Sequence, residues 1–552
     1  MWIFTSLTTK FLNNGVNRVN VLSEKLKAIV VESNTDTRAL VRRLLIDLEV
    51  NDITCYANGS ALLKRTDVVN ADIIIMATEL ENNYAGIDLI RHLARLKKLH
   101  QWAKVIFIAH EPTRIRTDFP LLGQKCDLID KRFAVEQLTR SIQTCRAVCL
   151  VGKRTFSQLN EETDIKLVKL VKNLPTSINI KDTADSVKLL QSKLLMKLRR
   201  PTLIFNIVDK IHDPTLRLMA QMHYYFYFGQ HLPLQQTIKT AKNQKTLLSQ
   251  QRYYYLLQCV MEKRYTSAYT NICELDESSL HPPEVLLKST LIFLTEGFTP
   301  AVNYLQKKKI ESPENHYYRS LITINILFLC FMQLLHKRDK HIEDNVVLSL
   351  FHESCQEKSL YDPGNDFDSF IPYFSLAIDV ISNKYQDNLA AAHAQVNDLA
   401  EMTINIEPSK RILLFIICVH VGDADAAFSH MAALCAVLAD VEISPEMAVN
   451  YLAYDLFIES HIGKEARAGM LSRLGKHMLE NRYPAMALRL FYRAYRATPH
   501  SADNVLNLLS ALIVTKLPYY METSIAELFE LLECAPLDNS QKALIEDLKK
   551  RL

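Results

Sequence analysis

Short apolar runs alternate with longer amphipathic stretches near the start of the chain, between residues 27 and 147. The apolar runs are KAIVV (27–31), DITCYA (52–57), ADIIIMA (71–77), KVIFIA (104–109) and CDLID (126–130). In the stretches between and after them, such as 35–50 and 134–147, apolar residues recur every three or four positions. Strands that are apolar throughout are buried on both faces, which is typical of a parallel sheet covered by helices. The pattern therefore predicts a doubly wound α/β domain over 27–147.

The rest of the chain is predicted to be helical. From about residue 150 to the C-terminus, apolar residues recur at spacings of three and four, and the connections are short and polar. Only 12 of the 552 residues are glycine, well below the usual ~7%. A chain this poor in glycine has few positions for tight turns and β-hairpins, which need positive φ angles. We therefore expect an all-α array without strands beyond residue 150.

The clearest repeated unit of this array lies between residues 469 and 501. Its candidate packing residues are Leu474, Gly475, Met478, Ala487, Phe491, Ala494 and Pro499. The small residues let two antiparallel helices approach, the aromatic ring fills the space between them, and the proline ends the second helix. This spacing resembles the tetratricopeptide repeat (TPR), and weaker copies upstream place Ala268 and Ala301 at about its ~34-residue period. The resemblance implies an all-α TPR-like solenoid that binds a protein.

These patterns divide the chain into six segments. We expect a leader at 1–26, the α/β domain at 27–147, a helical connector at 148–215, TPR-like helical repeats at 216–335, an irregular excursion at 336–370, and TPR-like repeats with a C-terminal capping helix at 371–552. The leader is either a flexible segment or an overlong choice of start codon. The excursion contains D-P-G-N at 362–365, a strong turn signal. No Gly/Ser/Pro-rich linker separates the α/β domain from the connector, so the two halves are expected to pack rigidly.

The ends of the predicted strands carry a second resemblance. Glu32 and Ser33 follow the first strand, Ala77 ends the third, Ala109 ends the fourth, and Lys131 follows the fifth. This arrangement resembles the flavodoxin-like receiver (CheY-like) domain of response regulators. At those places, in the same order, the family carries an acidic pair that binds Mg²⁺, a phosphate-accepting Asp, a Thr or Ser, and a Lys. The resemblance implies a role in phosphorelay signal transduction.

Chemistry excludes phosphoryl transfer at the matched positions. Transfer to a side chain requires a nucleophilic oxygen, and Ala77 offers only a methyl group. Mg²⁺ requires several hard oxygen ligands, of which Glu32 alone remains. The sequence therefore predicts a pseudo-receiver, in which Lys131 has no acid opposite it and is interpreted as a solvated lysine. One alternative stays open, because a shifted alignment would bring Thr78 or Glu79 to the acceptor position, with Glu79 as a standing negative charge.

Charge and motif content narrow the remaining functions. The 65 basic and 61 acidic residues leave a net charge of +4, which does not favour nucleic-acid binding. The 11 cysteines are scattered without a C-x-x-C pair, as is typical of free thiols in the cytoplasm. The most apolar run, 321–335, is short and contains polar residues, so we predict a buried helix and no membrane partner. No catalytic or metal-binding motif is present, so we expect no enzyme activity and no cofactor or metal.

Three tyrosine-rich clusters, HYYFYF (223–228), RYYY (252–255) and HYY (316–318), leave a choice open. Successive residues of a helix point in different directions, so three consecutive tyrosines cannot all be core. Either some of them line a groove that recognises a peptide, or all pack between helices with their hydroxyl groups reaching water.

Together these observations predict a cytoplasmic bacterial adaptor that resembles the tetratricopeptide-repeat response regulators. Its pseudo-receiver would dock a sensor kinase or response regulator of a two-component system, and its repeats would bind a second protein. Two alternatives remain: a phosphoryl-accepting response regulator with a displaced acidic site, and a helical scaffold or RNA-binding protein without a role in phosphorelay.

Overall fold

The structure is a computed structural model of the whole chain, and it describes most of its residues. The described residues are 25–50, 52–63, 71–80, 84–95, 99–110, 127–132, 135–158, 181–196, 201–244, 248–275, 277, 280, 282–311, 316–357, 367–382, 389–401, 408–440 and 445–552. The predicted leader, apart from Lys25 and Leu26, and the D-P-G-N turn lie outside them.

A five-stranded parallel sheet forms the first part of the fold. Its elements are β1 (Lys27–Val31), α1 (Thr35–Asp47), β2 (Asp52–Tyr56), α2 (Gly59–Leu63), β3 (Ala71–Ala77), the short hairpin β4 (Glu79–Leu80) and β5 (Tyr84–Ala85), α3 (Gly86–Arg95), β6 (Leu99–Ala109), β7 (Asp127–Asp130) and α4 (Val135–Gln158). The five long strands lie in the order β2–β1–β3–β6–β7 and all pair in parallel. The predicted parallel sheet is confirmed, and its strand order is one of the two common doubly wound orders.

Both faces of the sheet are buried, which explains why its strands are apolar throughout. Ile74 and Met76 of β3 point into a core that contains Ile87 and Ile90 of α3. Their alternate neighbours on the same strand point into a second core on the other face. That core contains Ile73, Ile75, Val41 and Leu45 of α1, and Leu138 and Ile142 of α4. Because side chains alternate across a strand, each apolar run contributes to both cores.

Helix α4 packs against both the sheet and the next described helix, Lys181–Met196. It runs for 24 residues, so the boundary expected between residues 147 and 148 lies inside one continuous helix. A Cβ atom at Gly152 of this helix would come within 2.3 Å of Trp102 Cβ in β6 and 3.5 Å of Leu190 in the next described helix. The absence of a side chain at Gly152 therefore lets the long helix contact the sheet and the array at the same point.

The remainder of the chain is mostly helical. Its helices are α5 (Lys181–Met196), α6 (Pro201–Val208), α7 (Pro214–Tyr227), α8 (His231–Asn243), α9 (Leu248–Met261), α10 (Tyr265–Cys273), α11 (Pro282–Thr295), α12 (Phe298–Glu311), α13 (His316–His336), α14 (Asp344–Gln356), α15 (Phe367–Ile381), α16 (Leu389–Glu401), α17 (Pro408–Val421), α18 (Ala424–Asp440), α19 (Pro445–His461), α20 (Lys464–Glu480), α21 (Pro484–Ala497), α22 (Ala502–Thr515), α23 (Ile525–Glu533) and α24 (Asn539–Arg551). Most of these helices pack against their neighbours in sequence, as in an array of helical hairpins.

The array also closes on itself, which the repeat pattern did not predict. Helix α19 packs more extensively against α11, far away in sequence, than against either of its neighbours α18 and α20. Apolar residues such as Val449, Leu452 and Phe457 are distributed around α19 and are buried. A helix that is apolar on all sides belongs in a protein interior. Helix α19 is therefore an internal element of the array.

Two expectations about regular structure are wrong. The segment 336–370 is not irregular throughout, because it contains α14, which packs on α13. Val347, Phe351 and Ser354 are its buried residues, and their i, i+4, i+7 spacing is that of one helix face. The all-α expectation fails at β8 (Tyr519–Tyr520) and β9 (Thr523–Ser524), which form a hairpin without glycine. Met521 adopts the positive φ angle of 56° in its turn.

One helix among the described residues is long and apolar enough to cross a membrane, at Tyr318–His336 within α13. Its most apolar window is 78% buried inside the array, against α11, α12, α14 and α15. The burial predicted for the apolar run at 321–335 is therefore confirmed.

Candidate functional site at the carboxyl edge of the sheet

The register of the sheet brings the five matched positions to one edge. Val31, the last residue of β1, pairs with Met76 of β3, and Ala77 at the end of β3 pairs with Ile108 of β6. Ala109 pairs in turn with Asp130 of β7. Glu32, Ala77, Ala109 and Lys131 therefore lie at the carboxyl ends of neighbouring parallel strands. Ligands bind at this edge in open α/β sheets.

An ion pair between Glu32 and Lys131 dominates this edge. Lys131 Nζ lies 3.0 Å from Glu32 Oε1, which also accepts a hydrogen bond from the backbone N–H of Asn34 at 2.9 Å. The Glu32 side chain is 1% exposed and that of Lys131 is 19% exposed. The expectation of a solvated lysine is therefore wrong, because the acid that faces Lys131 comes from the end of β1. The other carboxylate oxygen, Oε2, is buried and has no hydrogen-bond partner among the described residues.

Ala77 ends β3 in a buried position, and hydrogen bonds and a close helix contact fix the backbone around it. Ala77 is 3% exposed. The next residue, Thr78, donates its backbone N–H to the carbonyl of Ile108 at 2.9 Å, and its hydroxyl donates to the same carbonyl at 3.3 Å. Gly86, at the start of α3, covers the end of the strand, because a Cβ atom there would lie 2.2 Å from the carbonyl oxygen of Ala77. The β4–β5 hairpin returns the chain to this close approach, which only glycine permits.

The other candidate positions are distributed unevenly around this edge. Ala109 is buried, and its carbonyl accepts a hydrogen bond from the backbone N–H of Lys131 at 2.6 Å. Ser33 and Glu79 are both exposed. Among the contacts of described residues, the acid bonded to Lys131 is Glu32 and not Glu79. The site thus holds one buried carboxylate that is already bonded to a lysine.

The arrangement offers little for phosphoryl transfer or metal binding. Its buried hydroxyl, that of Thr78, donates to a backbone carbonyl, and its buried carboxylate is engaged by an ammonium group. Within the described part of the chain, no group of three or more His, Cys, Asp or Glu side chains could hold a metal ion. What the site can do chemically is hold a fixed charge pair.

Asp72 lies at the opposite edge of the sheet, in β3, and is 1% exposed. Its carboxylate accepts hydrogen bonds from the backbone N–H of Lys27 at 2.9 Å and from Trp102 Nε1 at 2.7 Å, and it lies 3.5 Å from Lys153 Nζ. Because Lys153 belongs to α4, this buried acid ties the start of the sheet to the helix that leads into the array. The sequence pattern gave no sign of this junction.

The candidate packing residues of the repeat meet between α20 and α21. A Cβ atom at Gly475 would come within 2.6 Å of Cε1 of the Phe491 ring. Four others are fully or almost fully buried in the same core: Leu474, Met478, Ala487 and Ala494. Pro499 follows the last residue of α21, Ala497, by two positions and is exposed. The close approach at Gly475 lets the two helices pack with an aromatic ring between them.

A buried arginine cluster inside the array was missed by sequence reasoning. Arg493 of α21 forms an ion pair with Asp455 of α19, and its Nη1 donates to the hydroxyl of Tyr454 at 3.2 Å. Burial raises the pKa of Asp455, although the charge of Arg493 opposes this effect. One turn earlier, the guanidinium of Arg489 lies 5.5 Å from the ring centre of Tyr451. The signal in the sequence was R-L-F-Y-R, an i, i+4 arginine pair on an otherwise apolar helix face.

The tyrosine-rich clusters face this interior. Tyr224, Tyr227, Tyr253 and Tyr254 are all buried, whereas Tyr255 is 38% exposed. Most of these rings therefore pack between helices, as in the second of the two interpretations left open by the sequence. The hydroxyl group of Tyr253 is buried, however, and that of Tyr254 lies 3.0 Å from Nδ1 of His223, so these two do not reach water. No protein-family model matches this chain, and no curated protein matches it at a significant level.

Proposed function

We propose that the chain is a non-catalytic signalling adaptor in which a pseudo-receiver and a TPR-like array each bind a protein. The observation that carries the proposal is the pair Glu32–Lys131 at the edge where a receiver would hold Mg²⁺ and phosphate. Lys131 Nζ lies 3.0 Å from Glu32 Oε1, and Ala77 ends the strand on which an acceptor would stand. The ammonium group of Lys131 is already paired with the Glu32 carboxylate. This edge of the sheet therefore holds an internal ion pair at the place where a receiver would bind Mg²⁺ and phosphate.

The strand order supports this proposal without being specific to receivers. A parallel sheet in the order β2–β1–β3–β6–β7 with helices on both faces is also the order of flavodoxin-like proteins. The residues at the strand ends are what favour a degenerate receiver over other proteins with this strand order. Without an oxygen nucleophile the domain would act by occupancy, holding or competing for a sensor kinase or response regulator in the cytoplasm.

The helical half would supply the second binding surface. Because α19 and the buried arginine cluster fill the interior of the array, a protein partner would meet the outer surfaces of the helical hairpins. This differs from recognition in an open groove, which the tyrosine clusters had suggested. Protein surfaces of this kind bind through a few buried aromatic or arginine side chains at the centre of a contact.

Phosphate labelling tests the receiver half. The full chain is incubated with Mg²⁺ and radiolabelled acetyl phosphate, alongside Glu79→Gln and Thr78→Val variants. The proposal predicts no incorporation into any of the three proteins. Labelling of the unaltered chain that disappears in Glu79→Gln would establish the alternative, a phosphoryl-accepting regulator with a displaced acidic site.

Affinity capture tests the adaptor itself. The full chain and a chain that begins at Lys181 are used as baits in native cells, with circular dichroism as the check that the shorter chain remains helical. The adaptor predicts a sensor kinase or response regulator that only the full chain captures, and a second protein that both capture. Capture of RNA that is removed by nuclease treatment would favour the scaffold without a phosphorelay role.

A further inference from the structure

A cavity of about 310 Å³ opens where several helices of the array end. Its lining residues come from α11, from the end of α13 and the turn after it, and from the last turns of α19: Phe293, His336, Arg338, Leu456, Glu459 and Ser460. Two of them are apolar and four can donate or accept hydrogen bonds. Cavities of this size, apolar in part and with a few converging polar groups, are typical of sites for small ligands.

The polar wall of this cavity is organised around Ser460. Its hydroxyl oxygen lies 3.1 Å from Nδ1 of His336 and 2.8 Å from Nδ1 of His461. The rings of these two histidines are 5.2 Å apart, and a third, His420, lies 5.9 Å from His461. Nε2 of His336 is buried and has no hydrogen-bond partner among the described residues. The wall of the cavity therefore contains a buried imidazole nitrogen, Nε2 of His336, that is available to a bound ligand.

The carboxylates described near the cavity are already paired with basic side chains. The acid in its lining, Glu459, forms an ion pair with Lys263 from the turn between α9 and α10. The second nearby acid, Asp455, is paired with Arg493. Further positive charges close enough to act on Lys263 or on the adjacent Tyr265 are contributed by Arg338, Arg467 and Arg496. Among the described residues none of these three arginines forms an ion pair, and Arg338 is the one of them that lines the cavity.

We propose that this cavity binds a small phosphate-bearing ligand. Arg338 presents a planar guanidinium at the cavity wall, a group whose N–H donors match the oxygens of a phosphate. The surrounding positive charge compensates a dianion, and the volume admits a small phosphate ester but not a folded domain. This inference is independent of the proposed function, because it concerns the far half of the chain and requires no phosphoryl transfer.

Proton uptake should accompany binding at this site. The charged and titratable groups that face His336 are His461, Arg338 and Glu459, with His420 behind His461. A bound phosphate would favour the protonated form of His336. Because phosphate itself takes up a proton over the same pH range, the contribution of His336 is the difference in pH dependence between the unaltered chain and His336→Gln.

Calorimetric titration of the full chain with inorganic phosphate and with pyrophosphate tests the proposal. We expect saturable binding that weakens about tenfold in Arg338→Gln, a loss of about 1.4 kcal/mol. The matched control is Arg252→Gln, which removes an exposed arginine of α9 and should leave the affinity unchanged. Chloride at equal ionic strength should not compete. Absence of binding, or equal binding in both variants, would overturn the proposal.

Two further measurements keep the test decisive. Arg338 also donates to the carbonyl of Leu294, so the Arg338→Gln variant is first checked by its unfolding midpoint. If it is unstable, the pH dependence of phosphate affinity is compared between the unaltered chain and His336→Gln. Affinity should fall more steeply toward pH 6 in His336→Gln, and identical pH profiles would overturn the proposal. Sedimentation with phosphatidic acid vesicles distinguishes a lipid headgroup from a free phosphate. Binding to vesicles without binding to soluble phosphate would refute a small-ligand site.

Discussion

Gly229 lies directly against the ring of Tyr520, so that a Cβ atom at Gly229 would be 2.6 Å from Cε2 of that ring. Two backbone contacts reinforce this approach. The backbone N–H of Met521 donates to the carbonyl of Gly229 at 2.9 Å, and the side-chain amide of Gln230 donates to the carbonyl of Tyr519 at 2.9 Å. The β8–β9 hairpin is thus fixed to the turn between α7 and α8, and this contact closes the helical array between its two ends.

The first prediction is that Gly229→Ala loosens this closure. Alanine at a φ angle of +61° is strained, and its Cβ would also collide with Tyr520. We expect a loss of about 2–4 kcal/mol in the free energy of unfolding, measured by urea titration. Gly422→Ala is the control, because its φ angle is +80° but no atom lies within 4 Å of the added Cβ. Equal losses in the two variants would mean that the contact with Tyr520 contributes nothing.

The sequence predicted the sheet well and the closure not at all, for a physical reason. Apolar runs such as ADIIIMA report burial of one strand on both faces, which is a local property, and the shared edge of parallel strands then follows. The contact between Gly229 and Tyr520 joins residues that no periodicity relates. The hairpin that carries Tyr520 also has no glycine signal, because Met521 supplies its positive φ angle.

The candidate site shows the same division between local and long-range information. The apolar runs correctly predicted that four candidate residues lie at strand ends: Glu32, Ala77, Ala109 and Lys131. They could not show that the glutamate and the lysine bond to each other, because that depends on how two separate loops turn after their strands.

A second prediction concerns Gly475, where a methyl group would meet the Phe491 ring at 2.6 Å. We expect Gly475→Ala to destabilise the chain by about 1–3 kcal/mol, since overpacking forces the two helices apart. Gly469→Ala lies in the same helix with open space around it and should be neutral or stabilising by up to ~1 kcal/mol. Urea unfolding measures both changes.

The same pair allows a double-mutant test. Phe491→Leu removes the ring atoms that an alanine at 475 would meet. The cost of Gly475→Ala should therefore be smaller in the Phe491→Leu background than in the unaltered chain. Strictly additive costs would show that the residue at 475 does not act through this ring.

The third prediction concerns the Glu32–Lys131 pair. Lys131→Met leaves a buried carboxylate without its counter-ion, and we expect a loss of about 3 kcal/mol in unfolding free energy at pH 7. Adding Glu32→Gln to Lys131→Met should restore part of the stability at pH 7.

The outcome that contradicts this prediction is a Lys131→Met variant as stable as the unaltered chain at pH 7. In that case the lysine would be a solvated side chain, and the carboxyl edge of the sheet would not be held by the pair. Lys476→Met serves as a control, because Lys476 is exposed on α20 and its replacement should change the free energy of unfolding little.

The last prediction is a loss of stability in mild acid that depends on His336. Burial lowers the pKa of His336 from 6.5 to about 4, with help from the charges of His461 and Arg338. The unfolded chain therefore binds a proton that the folded chain does not, in the window between these two values. The free energy of unfolding is therefore unaffected by His336 above pH 6.5, and it decreases as the pH falls from 6.5 toward 4. In phosphate-free buffer, we expect His336→Gln to lose less stability than the unaltered chain between pH 7 and 5, by on the order of 1 kcal/mol. His500→Gln, at an exposed position, should follow the unaltered chain; identical pH profiles for all three proteins would show that His336 is not buried in this environment.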